Sequence, residues 1–376
     1  MNPENTYETR LKQKVKALKW HKFHLDPLLL LSLILLAVVG LFILYSASNE
    51  TTAVIEKQLY RLILSFGLMC IFAQVPPQKY KQWAPWLYVI VFFLLLAVLV
   101  IGKVDMGGRR WISLGLFRFQ PSEFMTLAMP IMLSWYLSER TLPPNFYSIM
   151  VAGILMIAPA LLVAKEPDLG TAIIVALSGF FVLLLAGMRW RIIGVVAGLL
   201  VALSPLIWHF MHPYQKERVL TFLNPERDPL GSGYHIIQSK IAIGSGGLLG
   251  KGWLQGTQSH LSFLPAHTTD FIFAVSGEEL GLLGCLGILI IFLIIFIRCL
   301  FISWQAQDNF TRLLSGALGL TFIASAFINL GMVIGILPVV GVPLPLISYG
   351  GSSMTTLMIN FGIIMSIHTH RRLWSS

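Results

Sequence analysis

From residue 27 onward the chain alternates long apolar runs with short polar ones. A helix needs about 20 apolar residues to cross hydrocarbon. Stretches near 27–47, 58–75, 84–102, 122–139, 147–164, 170–187, 191–211, 271–298, 311–336 and 350–368 meet or approach that length. The pattern predicts an all-α polytopic membrane protein with about ten transmembrane helices, because a helix satisfies its own backbone groups where no water can. One connection breaks the rhythm. The polar segment 212–269, between the seventh and eighth helices, is too long to be a mere connector. Inside it, Tyr234 to Ile243 places apolar residues at helical spacing. That predicts a short amphipathic helix lying on the outer membrane surface. The expected organisation is a basic tail over 1–26 and a single transmembrane domain over 27–376, with 212–269 as a large extracytoplasmic loop.

Composition narrows the class. With 56% hydrophobic residues, 12% charged and a mean hydropathy of +0.76, the chain is not a soluble globular domain, which carries about twice that charged share. Tryptophans recur near the ends of apolar runs, as at Trp83, Trp86, Trp111, Trp190, Trp208 and Trp374, where amphipathic rings prefer the headgroup zone. Cys70, Cys285 and Cys299 lie in or beside apolar runs, so neither a disulfide framework nor a metal-ligand spacing is available. The net charge of +10 is spread over short segments beside apolar runs, which suits anionic lipid headgroups rather than nucleic acid. A cleavable signal peptide is not expected, because the first apolar run is too long for one and follows a polar, basic lead.

Charge also sets the expected orientation. The tail carries Arg10, Lys12, Lys14, Lys16, Lys19 and Lys22, and alternate connections carry Lys79, Lys81, Arg140, Arg189, Arg191, Arg298, Arg312, Arg371 and Arg372. Cationic loops stay inside. An even helix count then puts both termini in the cytoplasm and 103–121, 165–169, 212–269 and 337–349 outside. Lys103, Arg109, Arg110 and Arg118 violate the rule locally, and binding an anionic headgroup is one reason for cations on that face.

Candidate chemistry gathers on the outer side. Asp270 stands where the long polar loop meets the eighth helix, and an ionisable group at that depth is a functional candidate. Thr268, Thr269 and Asp270 are also good N-cap residues, so capping and catalysis stay open together. A helix N-terminus would keep the carboxylate ionised and basic. Glu278 and Glu279 lie about 12 Å further along that helix. They either face a cavity or are hydrogen-bonded groups that fix packing. Gln120-Pro121-Ser122-Glu123 opens the fourth helix, where Glu123 suits the first turn or faces an outer cavity and meets Arg109 or Arg110. In the tight connection Lys165 to Thr171, Asp168 is expected to cap the sixth helix. Pro338, Gly341, Pro343 and Pro345, followed by Ser348-Tyr349-Gly350-Gly351-Ser352, form an irregular segment at membrane depth that reads as a cavity wall. His212, His235, His260 and His267 are too scattered for a zinc site. Phosphate-loop, dinucleotide and nucleophile-elbow patterns are absent.

Together Gln120-Pro121-Ser122-Glu123, Pro167-Asp168-Leu169-Gly170-Thr171, Gly233-Tyr234, Gly244-Ser245-Gly246-Gly247, Thr269 to Ala274, Glu278-Glu279-Leu280-Gly281 and Ser348 to Ser352 resemble the shape, elongation, division and sporulation family in order along nearly the whole chain. Within it the chain looks like the elongation branch, because 235–247 reads HIIQSKIAIGSGG and is followed by GKGW, GTQS and FLP, and the tail is short. The resemblance implies a peptidoglycan glycosyltransferase of the bacterial inner membrane that polymerises lipid II for elongation and rod shape. Its implied partners are a class B penicillin-binding protein that cross-links the strands and other elongation-complex membrane proteins.

By that resemblance Asp270 matches the family's essential aspartate and is the general base of an inverting transfer. Arg109, Arg110, Arg218 or Lys240 would supply charge to the pyrophosphate leaving group, with a divalent cation such as Mg2+ as a possible aid. Glu123, Ser348 and Tyr349 are the other expected substrate contacts, and Asp168, Glu278 and Glu279 the supporting acids. Thr126 stands where the family usually has Lys, Ala266 and Thr268 where Glu and His are common, and Glu166 where Gln is common. A flippase for a lipid-linked precursor and a noncatalytic scaffold for a synthase are the competing functions.

Overall fold

The computed structural model describes residues 24–105, 108–114, 117–211, 213–227, 232–260, 264 and 266–370, so nearly all of the expected basic tail lies outside the described residues. Each expected apolar run is a helix. The first seven are α1 (Pro27–Ala47), α2 (Thr52–Gln74), α3 (Pro77–Ile101), α4 (Pro121–Ser138), α5 (Phe146–Lys165), α6 (Leu169–Leu185) and α7 (Trp190–Phe210). The long loop holds α8 (Pro213–Leu223), a short 3-10 turn, α9 (Ser232–Gly246) and the single turn α10 (Thr257–His260). α11 (Ile272–Trp304), α12 (Asn309–Ile334) and α13 (Ser352–Thr369) complete the chain.

The helices run past their apolar cores. α3 starts at Pro77, seven residues before the expected 84, because a proline at the first helical position presets the backbone and the polar turn Gln78 to Gln82 extends beyond hydrocarbon. Side-chain caps fix other starts: Asp26 accepts from Leu29 N, Asn145 from Ser148 N, Asp168 from Thr171 N and Asp308 from Thr311 N. Among the described residues α1, α3, α5, α11 and α12 are long and apolar enough by composition to cross a membrane unaided. α4 and α13 are less apolar and each buries 12 of its 18 residues inside the bundle.

Two apolar cores meet along shared helices. Most buried residues of α1, α2, α11, α12 and α13 form the larger cluster, and most of those of α3 to α6 form the other. α12 enters both, with Leu314, Leu318 and Phe322 in the first and Leu313 and Ala317 in the second, as do α3 through Ala84 and Tyr88 and α4 through Leu127 and Met125. Leucines and valines exposed on α1, α3, α5, α7 and α11 face outward, as lipid-facing positions do.

Three local features differ from the pattern-based expectation. The 103–119 connection is an antiparallel sheet of β1 (Lys103–Asp105), β2 (Gly108–Leu114) and β3 (Phe117–Phe119) in that order, the one departure from an all-helical chain among the described residues. The run Trp111-Ile112 within β2 supplies the residue types that favour a strand, which span-length reasoning does not weigh. α9 packs one face onto the helix bundle: Ile236, Ser239 and Ala242 are buried against α11 and α12, and Ser239 donates to Val333 O at 2.7 Å. α11 is broken at Gly281, at φ 64° and ψ −164°.

The break in α11 is satisfied by the strand of chain that leaves α9. Lys251 N donates to Glu278 O at 3.0 Å and Gly252 N to Glu279 O at 3.1 Å, while Leu282 N and Leu283 N donate back to Gly247 O and Leu248 O. Freed backbone groups at membrane depth are thereby paired within the protein. A Cβ at Gly246 would lie 2.0 Å from Gly277 O and one at Gly250 2.1 Å from Glu279 O, so these backbones approach only because both residues are glycine.

Four segments assigned to one side by charge meet at one end of the bundle. Arg110 of β2 reaches the α5–α6 connection, Gln120 meets Asp168, Ser348 meets Thr269, and Gly170 abuts Val340. The opposite end joins the chain's two described extremities. There Asp26 pairs with Arg298 at 2.5 Å and with His368 at 2.9 Å, and the rings of His24 and His370 stack at 3.8 Å. Asp26 is fully buried, which opposes its ionisation, but His368, Arg298 and the Leu29 N–H outweigh burial and hold it well below the usual carboxylate range.

Candidate active site

Asp270 is not a helix cap. The N-cap of α11 is Phe271 and makes no side-chain capping bond, while Thr269 N and Phe271 N both close a turn on Ala266 O. The carboxylate is therefore free of the structural duty its position suggested. It stands beside Gly341, whose positive φ of 76° lets the irregular 337–349 segment pass, and a Cβ there would sit 3.7 Å from Asp270 Oδ2. Burial raises the Asp270 pKa, Arg218 on α8 opposes that by favouring the charged form, and Asp168 reinforces it. A half-buried carboxylate with a raised pKa and one cation nearby is suited to accept a proton.

A second group of acids lies at the starts of α4 and α6. Asp168 caps α6 as expected, accepting from Thr171 N at 3.1 Å and Thr171 Oγ1 at 2.9 Å, and Gln120 Nε2 donates to it at 2.6 Å. Glu123 takes a hydrogen bond from Ser352 on α13, and its Oε2 is buried with no partner among the described residues. The expected meeting of Glu123 with Arg110 does not occur. Arg110 is committed to main-chain oxygens, donating to Glu166 O at 3.1 Å and to Pro167 O. The guanidinium has five donors, and the exposed carbonyls at the end of α5 are nearer partners than a carboxylate one helix away. Arg109 pairs with Val104 in the sheet, and its side chain lies outside the described residues.

Glu166 is 1% exposed, and both of its carboxyl oxygens are buried without a hydrogen-bond partner among the described residues. Burial pushes its pKa up to about 8, Asp168 adds to the rise, and Arg110 opposes it. At neutral pH it is held mainly as the acid.

The remaining candidates divide by what they touch. Ser348 Oγ donates to Thr269 O at 2.6 Å and accepts from Leu344 N at 2.8 Å, so its hydroxyl stitches the wall to the Asp270 turn. Tyr349 N donates to Thr268 O, and Arg61 of α2 lies 4.5 Å over its ring. Lys240 is exposed on α9, its stem against Gly335 at the C-terminal end of α12. Glu278, fully buried, accepts from Lys251 Nζ at 2.7 Å, Thr257 N at 2.9 Å and Gln258 N at 3.1 Å. Glu279 accepts from Ser46 of α1 at 2.5 Å. Both acids thus brace the loop that leads to Asp270 and the α1–α11 contact.

A cavity of about 110 Å³ lies behind the 342–348 wall, between α4, α6, α12 and α13. Glu123, Thr126, Ser325, Thr356 and Asn360 give it a polar lining, and Pro343 to Leu346 roof it. The irregular segment is a cavity wall, as its prolines and glycines suggested. Asp270 is not among the lining residues and stands instead against the same wall at Gly341. Among the described residues no cluster of three or more His, Cys, Asp or Glu side chains could hold a metal ion.

Sequence reasoning missed Asn329, Arg61 and Lys251, and gave Ser352 only as the end of the wall segment. Asn329 carried a readable signal, a fully polar side chain inside an apolar run. The others are defined by partners far away in sequence.

The profile of the FtsW, RodA and SpoVE cell cycle proteins matches residues 26–373. The chain belongs to that family. It is 51% identical over 357 residues to the peptidoglycan glycosyltransferase MrdB of Escherichia coli strain K12, covering 95% of this chain and 96% of the relative. A chain in a structure describing coordination of polymerization and crosslinking by a peptidoglycan synthase complex superimposes with a TM-score of 0.81 at 31% identity, covering 93% and 99% of the two chains. The rod shape determining protein RodA of Thermus thermophilus gives a TM-score of 0.67 at 26% identity over 92% and 96%. Membership in the FtsW, RodA and SpoVE family agrees with a multi-pass membrane protein built around an outer acidic site. Thr126 Oγ1 donates to Glu123 O at 2.6 Å, so the side chain three residues after Glu123 bonds the main chain and not the carboxylate.

Proposed function

We propose that this chain is a peptidoglycan glycosyltransferase that polymerises lipid II into glycan strands during cell elongation. The observation that carries the reading is Asp270: a carboxylate at the outer end of the bundle, not used as a cap, with a raised proton affinity and Arg218 nearby. Asp270 takes the proton from the acceptor sugar's 4-hydroxyl as that oxygen attacks the anomeric carbon of the donor. The bond to the lipid-linked pyrophosphate breaks in the same displacement, and the configuration inverts. One base and a stabilised leaving group suffice, with no covalent sugar intermediate. Arg218 carries charge to the pyrophosphate, being the cation that bears on Asp270. Arg110 instead shapes the site through the α5–α6 connection, since its guanidinium is already bonded.

The likeness to a chain of a peptidoglycan synthase complex supports a class B penicillin-binding protein as the partner. The site lies on the extracytoplasmic face of the bacterial inner membrane and both termini are cytoplasmic, which agrees with the described extremities, at His24 to Asp26 and His368 to His370, meeting at the end away from Asp270. The candidate acids Glu123, Asp168 and Asp270 all stand at or beside the starts of α4, α6 and α11, at one end of the bundle, and this favours chemistry over transport.

The test is to reconstitute the chain with its partner in vesicles carrying lipid II and to follow glycan length and lipid translocation together. Polymer without translocation is the expected outcome. Translocation without polymer would replace this reading by the flippase.

A further inference from the structure

Asn329 is fully buried in the membrane-spanning part of α12. Its Nδ2 donates to the main-chain oxygen of Asp270 at 2.9 Å and to that of Val342 at 2.7 Å. Carbonyl oxygens only accept, so the chemistry of its two partners fixes which way the amide faces. One nitrogen thereby ties together the turn that carries Asp270 and the wall segment beside it. Val342 follows Gly341, the residue that abuts Asp270 Oδ2. Ser348 and Tyr349 hold residues 269 and 268 of the same turn, while Asn329 holds residue 270 itself.

We propose that Asn329 is a positioning residue for Asp270, setting the depth at which the carboxylate sits between the Gly341 wall and the Arg218 side of the site. The inference rests on Asp270 being the base. A general base must lie within hydrogen-bonding reach of the proton it takes, and misplacing a reacting group by about 1 Å costs on the order of a hundredfold in rate. Asn329 acts through the backbone of Asp270, so its loss weakens kcat far more than substrate binding. A second signature separates positioning from packing. The charged groups that bear on Asp270 are Arg218 of α8 and Asp168 at the start of α6. If the tie is cut and the turn relaxes toward water, desolvation of Asp270 lessens and the acid limb of the rate profile moves to lower pH.

The experiment measures polymerisation of lipid II by the chain in complex with its transpeptidase partner, as a function of pH and substrate, for wild type, Asn329→Ala, Asn329→Ser and Asp270→Asn. The expected result for Asn329→Ala is a kcat about 10 to 100-fold lower, a KM within about twofold of wild type, and an acid limb displaced to lower pH. Asn329→Ser, which can donate to one carbonyl only, falls between, and it carries the comparison if the alanine variant does not purify as a folded species. A folded variant with wild-type kcat, or one with reduced kcat and an unmoved acid limb, overturns the proposal. Asp270→Asn keeps the two claims apart: if it polymerises like wild type, the base assignment fails, whereas an inactive Asp270→Asn with an unshifted Asn329→Ala removes the positioning role alone.

Discussion

Glu166 ends α5 with two buried, unpartnered carboxyl oxygens and with Asp168 close by, an arrangement that favours the proton over the charge. An unfolded glutamate releases its proton near pH 4.3 or so, whereas the folded one holds it to about 8. Between those values the folded chain binds a proton that the unfolded chain has lost, so stability falls as pH rises through the window. Glu166→Gln removes the titration while keeping the shape. Its stabilising effect is expected to be small at pH 4.5, to grow through pH 8 and to level off above, reaching on the order of a few kcal/mol. Thermal unfolding of both proteins in detergent across that range checks it, and a pH-independent difference would contradict it. At this scale the sequence was partly legible. Asp270 and Asp168 stood out because each sits where a polar segment meets an apolar run. Whether Asp270 caps its helix depends on the backbone of Phe271, and Asn329 gains its meaning from partners 59 and 13 residues away. Neither fact is local.

The elements were more legible than their joints. Ten apolar runs became ten helices because span length is a one-dimensional property. Their ends moved outward where proline and capping residues, not hydropathy, set the start. The 103–119 sheet and the break at Gly281 escaped that reasoning, since both depend on pairing between separate pieces of backbone. The pairing at Gly281 is demanding. Gly250 has φ +82° and leaves no room for a Cβ 2.1 Å from Glu279 O. Gly250→Ala is expected to pull the 247–252 strand off the broken helix, exposing the Glu278 and Glu279 carbonyls and loosening the Glu278 brace. A loss of at least about 3 kcal/mol follows from strain plus unsatisfied backbone groups. Gly244→Ala, with nothing within 4 Å of its added Cβ, is the matched control and should unfold near the wild-type temperature.

Across the whole molecule, charge distribution anticipated the gathering of four polar segments at one end and the two described extremities at the other. The candidate cations and the cavity are placed by partners that lie far apart in the chain. Arg110 is turned to backbone oxygens, Lys240 rides on the end of α12, and the cavity sits behind the wall that Asp270 abuts. Such arrangements follow from three-dimensional competition for partners, which residue order does not encode directly. They leave Asp270, with Asn329 bonded to its main-chain oxygen and Arg218 bearing on its charge, as the group proposed to take the proton in polymerisation. The most direct measurement is glycan polymer formation from lipid II by wild type and Asp270→Asn, each purified in complex with the transpeptidase partner at matched levels of folded protein. The account predicts polymer from wild type and a loss of at least a hundredfold in Asp270→Asn, as removal of a positioned base demands. Equal polymer from both would contradict it.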